Sequence, residues 1–288
     1  MDYFIFLIMA IIIIVGLFFI AVHLGFRAPR HKETENPKDL LGIDYLQLQI
    51  PTNAGKQLFS WLLPVSYSSE TLIILHGWGS NAEMLLPLAA PFHTAGINVL
   101  LFDARSHGSS DSDTFSSLPR FAEDLGNVID WLKKKHPGRT KKIALLGHSV
   151  GAGAVLFEAS KRQDIAAVIS ISAFAHPEWV MQRYLKSFYI PSSIRKLVMR
   201  YVEWVIGHRF ATFAPLSTVC KINCPILIVH GKEDKIIPVE DARAIIANCP
   251  KAHLSLLEIE NASHDSVEKI EQHCEQLVHF LRVSGFNI

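Results

Sequence analysis

The hydrophobic positions follow one pattern in the first 26 residues and a different one in the rest of the chain. Residues 3–26 contain no Asp, Glu, Lys or Arg, and 17 of these 24 residues are Ile, Leu, Phe or Val. A helix of this length covers about 36 Å, more than the roughly 30 Å hydrocarbon core of a bilayer. The pattern therefore predicts one membrane-spanning helix, within residues 1–27, that anchors the chain.

A cleaved secretory signal is the alternative interpretation of this run. Such a signal needs a basic start, a shorter apolar region and a small-residue cleavage site, whereas here Asp2 precedes the run. Four basic residues follow it: Arg27, Arg30, Lys32 and Lys38. This charge bias favours a single-pass anchor with the following domain in the cytoplasm. Residues 28–43 are predicted to be a tether, because Pro29 and Pro37 oppose continuation of the helix.

From residue 44 onward, short apolar runs alternate with longer amphipathic ones. Eight runs are predicted strands: 45–50, 58–63, 71–76, 97–102, 142–147, 166–172, 225–230 and 254–259. Several are continuously apolar, such as LIIL and ILIV, which is typical of strands covered on both faces in a parallel sheet. The clearest helical patterns lie at 119–135, 150–162, 239–247 and 266–281. The alternation predicts an α/β domain over residues 44–288, with an eight-stranded, mostly parallel sheet and helices on both faces.

Two local features add detail to this pattern. Asp265 with Glu268 predicts a capping box at the start of the last helix. About 50 residues separate the sixth strand from Cys224, so residues 177–217 are predicted to be an inserted helical cap. The cap is either a pair of ordinary amphipathic helices packed on the core or a mobile lid over a hydrophobic substrate. In the second case its Trp179 and Tyr184 are candidates for substrate binding.

Composition and charge exclude some classes of protein. Lys plus Arg (28) nearly cancels Asp plus Glu (27), and no basic stripe is present, so nucleic acid is not an expected partner. The four cysteines lack the CxxC spacing of a zinc or redox site and are too sparse for a disulfide framework, which predicts free, mostly buried thiols. The 14 histidines include no H-E-x-x-H pair, and no dinucleotide or P-loop motif occurs. Neither a metal nor a cofactor is expected.

The strongest chemical signal is the G-x-S-x-G pattern GHSVG, at residues 147–151. It follows a predicted strand directly and precedes a predicted helix. In a nucleophile elbow, small residues on both sides of the serine allow a tight strand-to-helix turn that exposes its hydroxyl. Ser149 is therefore the predicted nucleophile, and the backbone N–H of Val150 the predicted first oxyanion donor.

A serine nucleophile needs a base and an acid that orients the base. For this elbow, both are expected downstream, on loops at the carboxyl ends of later strands. Asp234 follows the strand PILIVH, and His264 follows the strand LSLLEI. We predict His264 as the general base and then acid, and Asp234 as the carboxylate that orients the imidazole, with the neighbouring Glu233 as an alternative acid.

The loop after the third strand is predicted to supply a second oxyanion donor. It reads HGWGS, with glycines where the backbone must approach a substrate carbonyl. The backbone N–H of Trp78 is the predicted donor. Its indole either shapes an acyl pocket or simply packs against the domain, and His148 is a further candidate for substrate binding.

Taken together, the segments HGWGS, DARSHGSS, GHSVG, HGKEDKIIP and ASHD resemble the α/β-hydrolase superfamily in order and spacing. The resemblance extends from residue 44 to the C-terminus. It is strongest to the branch that contains monoacylglycerol lipases, carboxylesterases and proline-type aminopeptidases, including membrane-anchored members. It implies the α/β-hydrolase fold, the triad given above and a structural loop at 103–110 beside the site. Relatives commonly have a glycine soon after the arginine of DARSHGSS, so the shape of this loop and any role of His107 remain open.

These observations predict a membrane-anchored serine hydrolase that cleaves a lipid or other acyl ester through an acyl-enzyme intermediate. A serine aminopeptidase or thioesterase on the same fold is an alternative. A non-catalytic, membrane-tethered binding protein is another, which covalent labelling of Ser149 would exclude.

Overall fold

A computed structural model describes residues 2–25, 27–53 and 55–288 of the chain, and the side chains of Asp2 and Ile11 lie outside this description. Met1 and Phe26, which belong to the predicted anchor segment, are also outside it.

The centre of the molecule is a single eight-stranded sheet. The strands are β1 (Leu46–Pro51), β2 (Gln57–Leu63), β3 (Glu70–Leu75), β4 (Asn98–Phe102), β5 (Lys142–His148), β6 (Ala167–Ile171), β7 (Ile226–Gly231) and β8 (Leu254–Ile259). Their order is β1-β2-β4-β3-β5-β6-β7-β8. β2 pairs antiparallel with both β1 and β4, and the other neighbouring strands are parallel. The predicted eight-stranded, mostly parallel sheet is confirmed.

Twelve α-helices are present in the described part of the chain. They are α1 (Asp2–Gly25), α2 (Pro37–Leu41), α3 (Leu86–Thr94), α4 (Leu118–Lys135), α5 (Val150–Ala159), α6 (Pro177–Ser187), α7 (Ser192–Ile206), α8 (Phe210–Phe213), α9 (Pro215–Thr218), α10 (Val239–Asn248), α11 (Val267–Glu271) and α12 (Cys274–Val283). Two hydrophobic cores result, one on each face of the sheet. α4, α5 and α10 cover one face, and α3 and α12 cover the other. Because a core covers each face of the sheet, the central strands are continuously apolar in sequence: β3, β4, β6 and β7 are buried along their whole length.

The last predicted helix is two helices. The pattern 266–281 is interrupted at residues 272 and 273, where α11 ends and α12 has not begun. The predicted capping box is wrong as well, because Ser266 is the N-cap of α11 and makes no side-chain capping bond. Asp265 instead lies beside the cavity described below.

The expectation of four free thiols is also wrong. Cys220 and Cys249 form a disulfide, with Cα atoms 5.6 Å apart. Cys224 and Cys274 are free, and burial raises the pKa of their thiols to about 11 and about 12. The spacing gave no hint of the bond, because the pair is separated by 29 residues. The packing of the segment after α9 against the end of α10 brings the two cysteines together.

The segment between α1 and α2 is fixed to the α/β domain by hydrogen bonds. The Arg30 guanidinium donates to the Gly108 carbonyl at 2.8 Å and to Ser112 Oγ at 2.7 Å. The Thr34 hydroxyl donates to the Glu83 carboxylate at 2.9 Å. Pro37 was expected to oppose a helix within this segment, but it begins the short helix α2, where its missing N–H carries no cost.

The four helices α6 to α9 lie between β6 and β7. On α7, one side faces the core and buries Val198, Met199 and Val202. The other side is open, with Leu197 and Trp204 exposed. Packing on the core, the first of the two interpretations of the cap, therefore describes the inner face of α7, while its outer face is open.

Candidate active site

Ser149 occupies a strained turn between β5 and α5. Its φ of 56° and ψ of −115° place a non-glycine residue in the positive-φ region. The flanking glycines are sterically required: a Cβ on Gly147 would lie 2.3 Å from the Gly151 carbonyl oxygen, and one on Gly151 would lie 2.4 Å from the His76 carbonyl oxygen. Both collisions are with backbone atoms that cannot move aside. The close approach of backbone at positions 147 and 151 therefore explains the two glycines of the G-x-S-x-G motif, as the elbow prediction assumed.

The structure brings the three predicted triad side chains together. His264 Nε2 lies 2.9 Å from Ser149 Oγ, and His264 Nδ1 lies 2.7 Å from Asp234 Oδ2. The three residues follow β5, β7 and β8, whose carboxyl ends meet at one edge of the sheet. Glu233, the alternative acid, points to solvent. The arrangement can move a proton from the hydroxyl to an imidazole that a buried carboxylate orients.

Asp234 remains a carboxylate although it is buried. Burial by itself would raise its pKa, but hydrogen bonding from His230 and His264, and from the Ile237 N–H, lowers the pKa below its ordinary value. Asp234 Oδ1 accepts from the N–H groups of Ile236 and Ile237 at 2.9 and 2.7 Å. His230, whose Nε2 lies 3.5 Å from Asp234 Oδ2, was missed from the sequence. Its signal was a histidine at the end of a strand, four residues before the acid.

His148 packs against the imidazole of His264. Its Nε2 donates to the His264 carbonyl oxygen at 2.9 Å, and the two rings are 5.3 Å apart. Burial, together with the neighbouring His264, lowers the pKa of His148 to about 4, so its ring is neutral at physiological pH. His148 was predicted to bind substrate. Besides lining the cavity, it holds the backbone of His264, which is a positioning role.

The two residues predicted to donate to an oxyanion, Val150 and Trp78, belong to the segments that adjoin Ser149. Val150 is the first residue of α5, where a backbone N–H has no acceptor within the helix. Gly77 packs against the elbow, since a Cβ there would be 3.0 Å from Ser149 Cβ. This contact brings the loop that contains Trp78 beside the hydroxyl. The assignment of the two N–H groups as donors stays a prediction.

A cluster of buried rings supports the Trp78 loop. The indole of Trp78 makes an edge contact with His107, at 6.0 Å between ring centroids. His107 also packs edge-on against Phe121 at 5.0 Å, and burial lowers its pKa to about 4. His76 completes the cluster and accepts the Ala104 N–H at 3.0 Å. His107, which had no role in the sequence analysis, is thus a neutral packing residue beneath Trp78.

The loop at 103–110 contains the departure from the usual family pattern. Ser106, directly after Arg105, has a φ of 67°, a conformation that glycine adopts without cost. Buried Asp103 holds the loop by accepting the N–H groups of Ala82 and Ser109, each at 2.8 Å. A serine therefore occupies a position where glycine would relieve strain, and the loop keeps its shape through these hydrogen bonds.

A cavity of about 950 Å³ opens over Ser149 and His264. Trp78, His148 and Tyr184, three of the four predicted substrate-binding residues, line it. Trp179 is not among the described residues that line it, and its ring lies 6.3 Å from that of His176, the N-cap residue of α6. The aromatic pattern of α6 alone could not show which ring would face the cavity.

Three residues at the cavity have the chemistry to bind a metal ion. Ligand atoms of His148, His264 and Asp265 lie within 4.8 Å of one another. Both ring nitrogens of His264 already pair with Ser149 and Asp234, however. The donor set therefore fits proton transfer better than metal binding.

Comparison with known proteins agrees with this geometry. Residues 67–219 match the family described as serine aminopeptidase, S33. The chain belongs to this α/β-hydrolase family. Two relatives are YqkD, an uncharacterized protein of Bacillus subtilis, and YNL320W, an uncharacterized membrane protein of Saccharomyces cerevisiae. YqkD is 28% identical over 222 residues, which cover 74% of this chain and 72% of YqkD. The yeast protein is 22% identical over 260 residues, which cover 90% of this chain and 86% of the relative.

Solved structures of the same fold include esterases. The Pyrococcus furiosus esterase Pf2001 superposes with a TM-score of 0.74 at 25% identity, covering 89% of this chain and 97% of the esterase. The α/β-hydrolase GrgF from a Penicillium species superposes with a TM-score of 0.66 at 21% identity, covering 84% of this chain and 99% of GrgF. The second likeness shows the fold alone. This family member therefore has the α/β-hydrolase architecture predicted from its motifs.

Proposed function

We propose that this chain is a membrane-anchored serine hydrolase that cleaves carboxylic esters of lipid or other acyl type. One observation carries the proposal: Ser149 Oγ, at the strained turn, is linked through His264 to a buried carboxylate by contacts of 2.9 and 2.7 Å. The likeness to an esterase supports it.

The chemistry is acyl transfer. Ser149 Oγ attacks the ester carbonyl while His264 Nε2 takes its proton, and the Asp234 carboxylate stabilises the imidazolium. The backbone N–H groups of Val150 and Trp78 receive the negative charge on the carbonyl oxygen. The imidazolium protonates the leaving alcohol, which gives an acyl-serine. Water, deprotonated by His264, then releases the acid and restores the hydroxyl.

The cavity is suited to bind the acyl chain of an ester substrate. Its lining is mostly apolar and includes Leu118, Phe174, Val180 and Leu185. Each methylene buried there contributes about 0.8 kcal/mol to binding. At about 950 Å³, the cavity has the size of a site for a long, flexible ligand.

Membrane anchoring is the second part of the proposal. In the described part of the chain, α1 is the one helix long and apolar enough to cross a bilayer, over residues 3–25. A relative from yeast is called a membrane protein, and its similarity covers 90% of this chain. The basic residues after the helix favour the cytoplasmic side for the hydrolase domain.

The test uses the full-length chain in detergent with a fluorophosphonate probe and a series of acyl esters. We expect covalent labelling and ester hydrolysis in the wild type, and loss of both in Ser149→Ala. Ser160→Ala, at the other end of α5, is the matched control and should retain both. Labelling of Ser149→Ala at the wild-type rate, or no labelling of the wild type, would refute the proposal and favour a binding protein.

A serine aminopeptidase is the second candidate, because one carboxylate, Asp265, lines the cavity and could pair with a substrate ammonium. The description of the matched family favours the same activity. The discriminating measurement is hydrolysis of N-terminal peptide amides beside the ester series. Efficient cleavage of peptides without hydrolysis of esters of any chain length would replace the esterase by the aminopeptidase.

A further inference from the structure

The last two turns of α1 form one wall of the cavity above Ser149. Phe18, Ala21, Val22 and Gly25 line it. Their spacing of i, i+3, i+4 and i+7 defines a single stripe on the helix, which we term the α1 stripe. Phe18 and Val22 also pack against the hydrophobic core of the domain. The apolar helix is therefore part of the candidate active site as well as a membrane anchor.

Contacts on both sides fix α1 in this position. The ring of Phe19 packs against that of Tyr201 on α7, at 4.4 Å between centroids. On the other side, Asn81 Nδ2 donates to the carbonyl of His31 at 3.1 Å, and Arg30 is bound to the loop at 103–110. The stripe is thus held against the cavity by the cap on one side and by the following segment on the other.

The cap continues the apolar surface of α1. Its large exposed apolar side chains are Trp179, Tyr184, Phe188, Tyr189, Ile194, Leu197 and Trp204. Trp204 is 77% exposed and lies 5.9 Å from Tyr201, the residue that contacts Phe19. Aromatic side chains are enriched where a protein meets the membrane surface. A surface with this many exposed apolar side chains is expected where a protein contacts a membrane.

The length of α1 sets the depth of the cavity. The 23 residues from 3 to 25 cover about 34 Å, slightly more than the roughly 30 Å hydrocarbon core. The stripe spans the last seven-residue interval, about 10 Å of rise. The side of the cavity formed by α1 therefore lies at the boundary between acyl chains and headgroups.

We propose that the substrate is a long-chain lipid ester resident in the bilayer, which enters the cavity along the α1 stripe without passing through water. This inference rests on the proposed serine hydrolase and its anchoring. It identifies the bilayer as the source of the substrate and makes the α1 stripe a determinant of specificity. The stripe selects acyl chains dissolved in the membrane, whereas a small soluble ester reaches Ser149 without contacting the stripe.

The test uses the full-length protein in phospholipid nanodiscs, with a long-chain fluorogenic ester dissolved in the disc and a soluble acetate ester of the same fluorophore. Ala21→Trp places bulk in the cavity at the stripe. Ile20→Trp places the same bulk on the exposed, opposite side of α1 and is the matched control. Ala21→Leu is a milder version in case the larger side chain disturbs folding, which a thermal midpoint would reveal.

We expect Ala21→Trp to lower kcat/KM for the long-chain ester by about 4- to 15-fold, as the loss of one or two methylene contacts predicts. Ala21→Leu should show a smaller loss in the same direction. Hydrolysis of the acetate ester should fall less than hydrolysis of the long-chain ester in Ala21→Trp and Ala21→Leu, and it should change less than about twofold in Ile20→Trp. The labelling rate with a long-alkyl fluorophosphonate should follow the long-chain ester, and Ile20→Trp should match the wild type in all assays.

Equal effects of Ala21→Trp and Ile20→Trp on the long-chain ester would overturn the inference. So would loss of acetate hydrolysis in parallel with the long-chain ester in a folded Ala21→Trp protein. In both cases intact acetate hydrolysis and Ser149 labelling in the wild type would leave the serine hydrolase standing. A wild type that neither reacts with the probe nor hydrolyses either ester refutes the proposed function and this inference together.

Discussion

Removal of the Cys220–Cys249 disulfide should lower the free energy of unfolding of the domain, by an amount that depends on the number of residues between the two cysteines. The bond closes a loop of 29 residues. Loop-closure entropy in the unfolded chain then gives about 3 to 4 kcal/mol at 25 °C. For a domain of this size, such a change corresponds to a decrease in Tm of about 7 to 14 °C.

Cys220→Ser isolates the effect of the cross-link. Cys220 is exposed while Cys249 is buried, so the change leaves the packing of the buried partner in place. Cys224→Ser is the control, because Cys224 is free. The assay is thermal unfolding of the full-length protein in detergent, with and without dithiothreitol. Reductant should lower the Tm of the wild type to that of Cys220→Ser and leave the variant unchanged.

Counting thiols in the denatured protein supplies the independent check. Without reductant, maleimide should modify two cysteines of the wild type, Cys224 and Cys274. Four modified cysteines, together with equal Tm values for the wild type and Cys220→Ser, would refute the bond and the reasoning built on it.

Two features of the chain indicate different compartments for the domain, and the same thiol count, made on protein denatured directly from cells, distinguishes between them. Disulfides persist in oxidising compartments and are rare in the cytosol. The basic residues after α1 predict a cytoplasmic domain instead. Two modified cysteines would place the domain on the oxidising side of the membrane and contradict the charge bias, and four would support it.

Three further predictions concern the site and its surroundings. Asp234→Asn should lower kcat for a soluble ester by about 10³- to 10⁴-fold with little change in KM, because the imidazole loses its anionic partner; a loss under tenfold would contradict this role. Burial, aided by the Glu33 carboxylate, raises the pKa of Asp103 well above 3.8, so stability falls as pH rises from about 4 through that raised value. The Tm of Glu33→Gln should therefore fall less than that of the wild type between about pH 5 and about pH 8. Equal decreases in Tm would argue against an interaction between the carboxyl groups of Asp103 and Glu33. Gly151→Ala should cost at least about 1 kcal/mol, because its Cβ meets backbone at 2.4 Å. Gly138→Ala, which meets open space, should melt like the wild type, and equal midpoints for the two would contradict the steric argument.

The sheet could be predicted from sequence because its central strands are buried on both faces. The run ILIV, for example, lies in β7, which is buried along its whole length and pairs with β6 and β8. The elbow could be predicted for a similar reason, since only glycine fits at 147 and 151. Where burial or sterics dictates the residue type, the pattern leaves few alternatives.

Other features depend on contacts that no local pattern records. The break between α11 and α12 carries no glycine or proline, so the run 266–281 looked continuous. His230 supports Asp234 only because the chain turns back at the end of β7. The bonds from Arg30 to the loop at 103–110 span about 80 residues of chain, and the pairing of Cys220 with Cys249 depends on helix packing. Each requires the tertiary fold to be known first.

The position of α1 has a practical consequence for how the enzyme is prepared. Trimming the chain after Gly25, the usual route to a water-soluble sample, would remove the four residues that close one side of the cavity. The cavity would then be open to solvent on that side, and acyl-chain-length preferences measured on such a sample would describe a wider, more hydrated groove. Kinetic comparisons with relatives should therefore be made on the uncut polypeptide, with its first helix embedded in lipid.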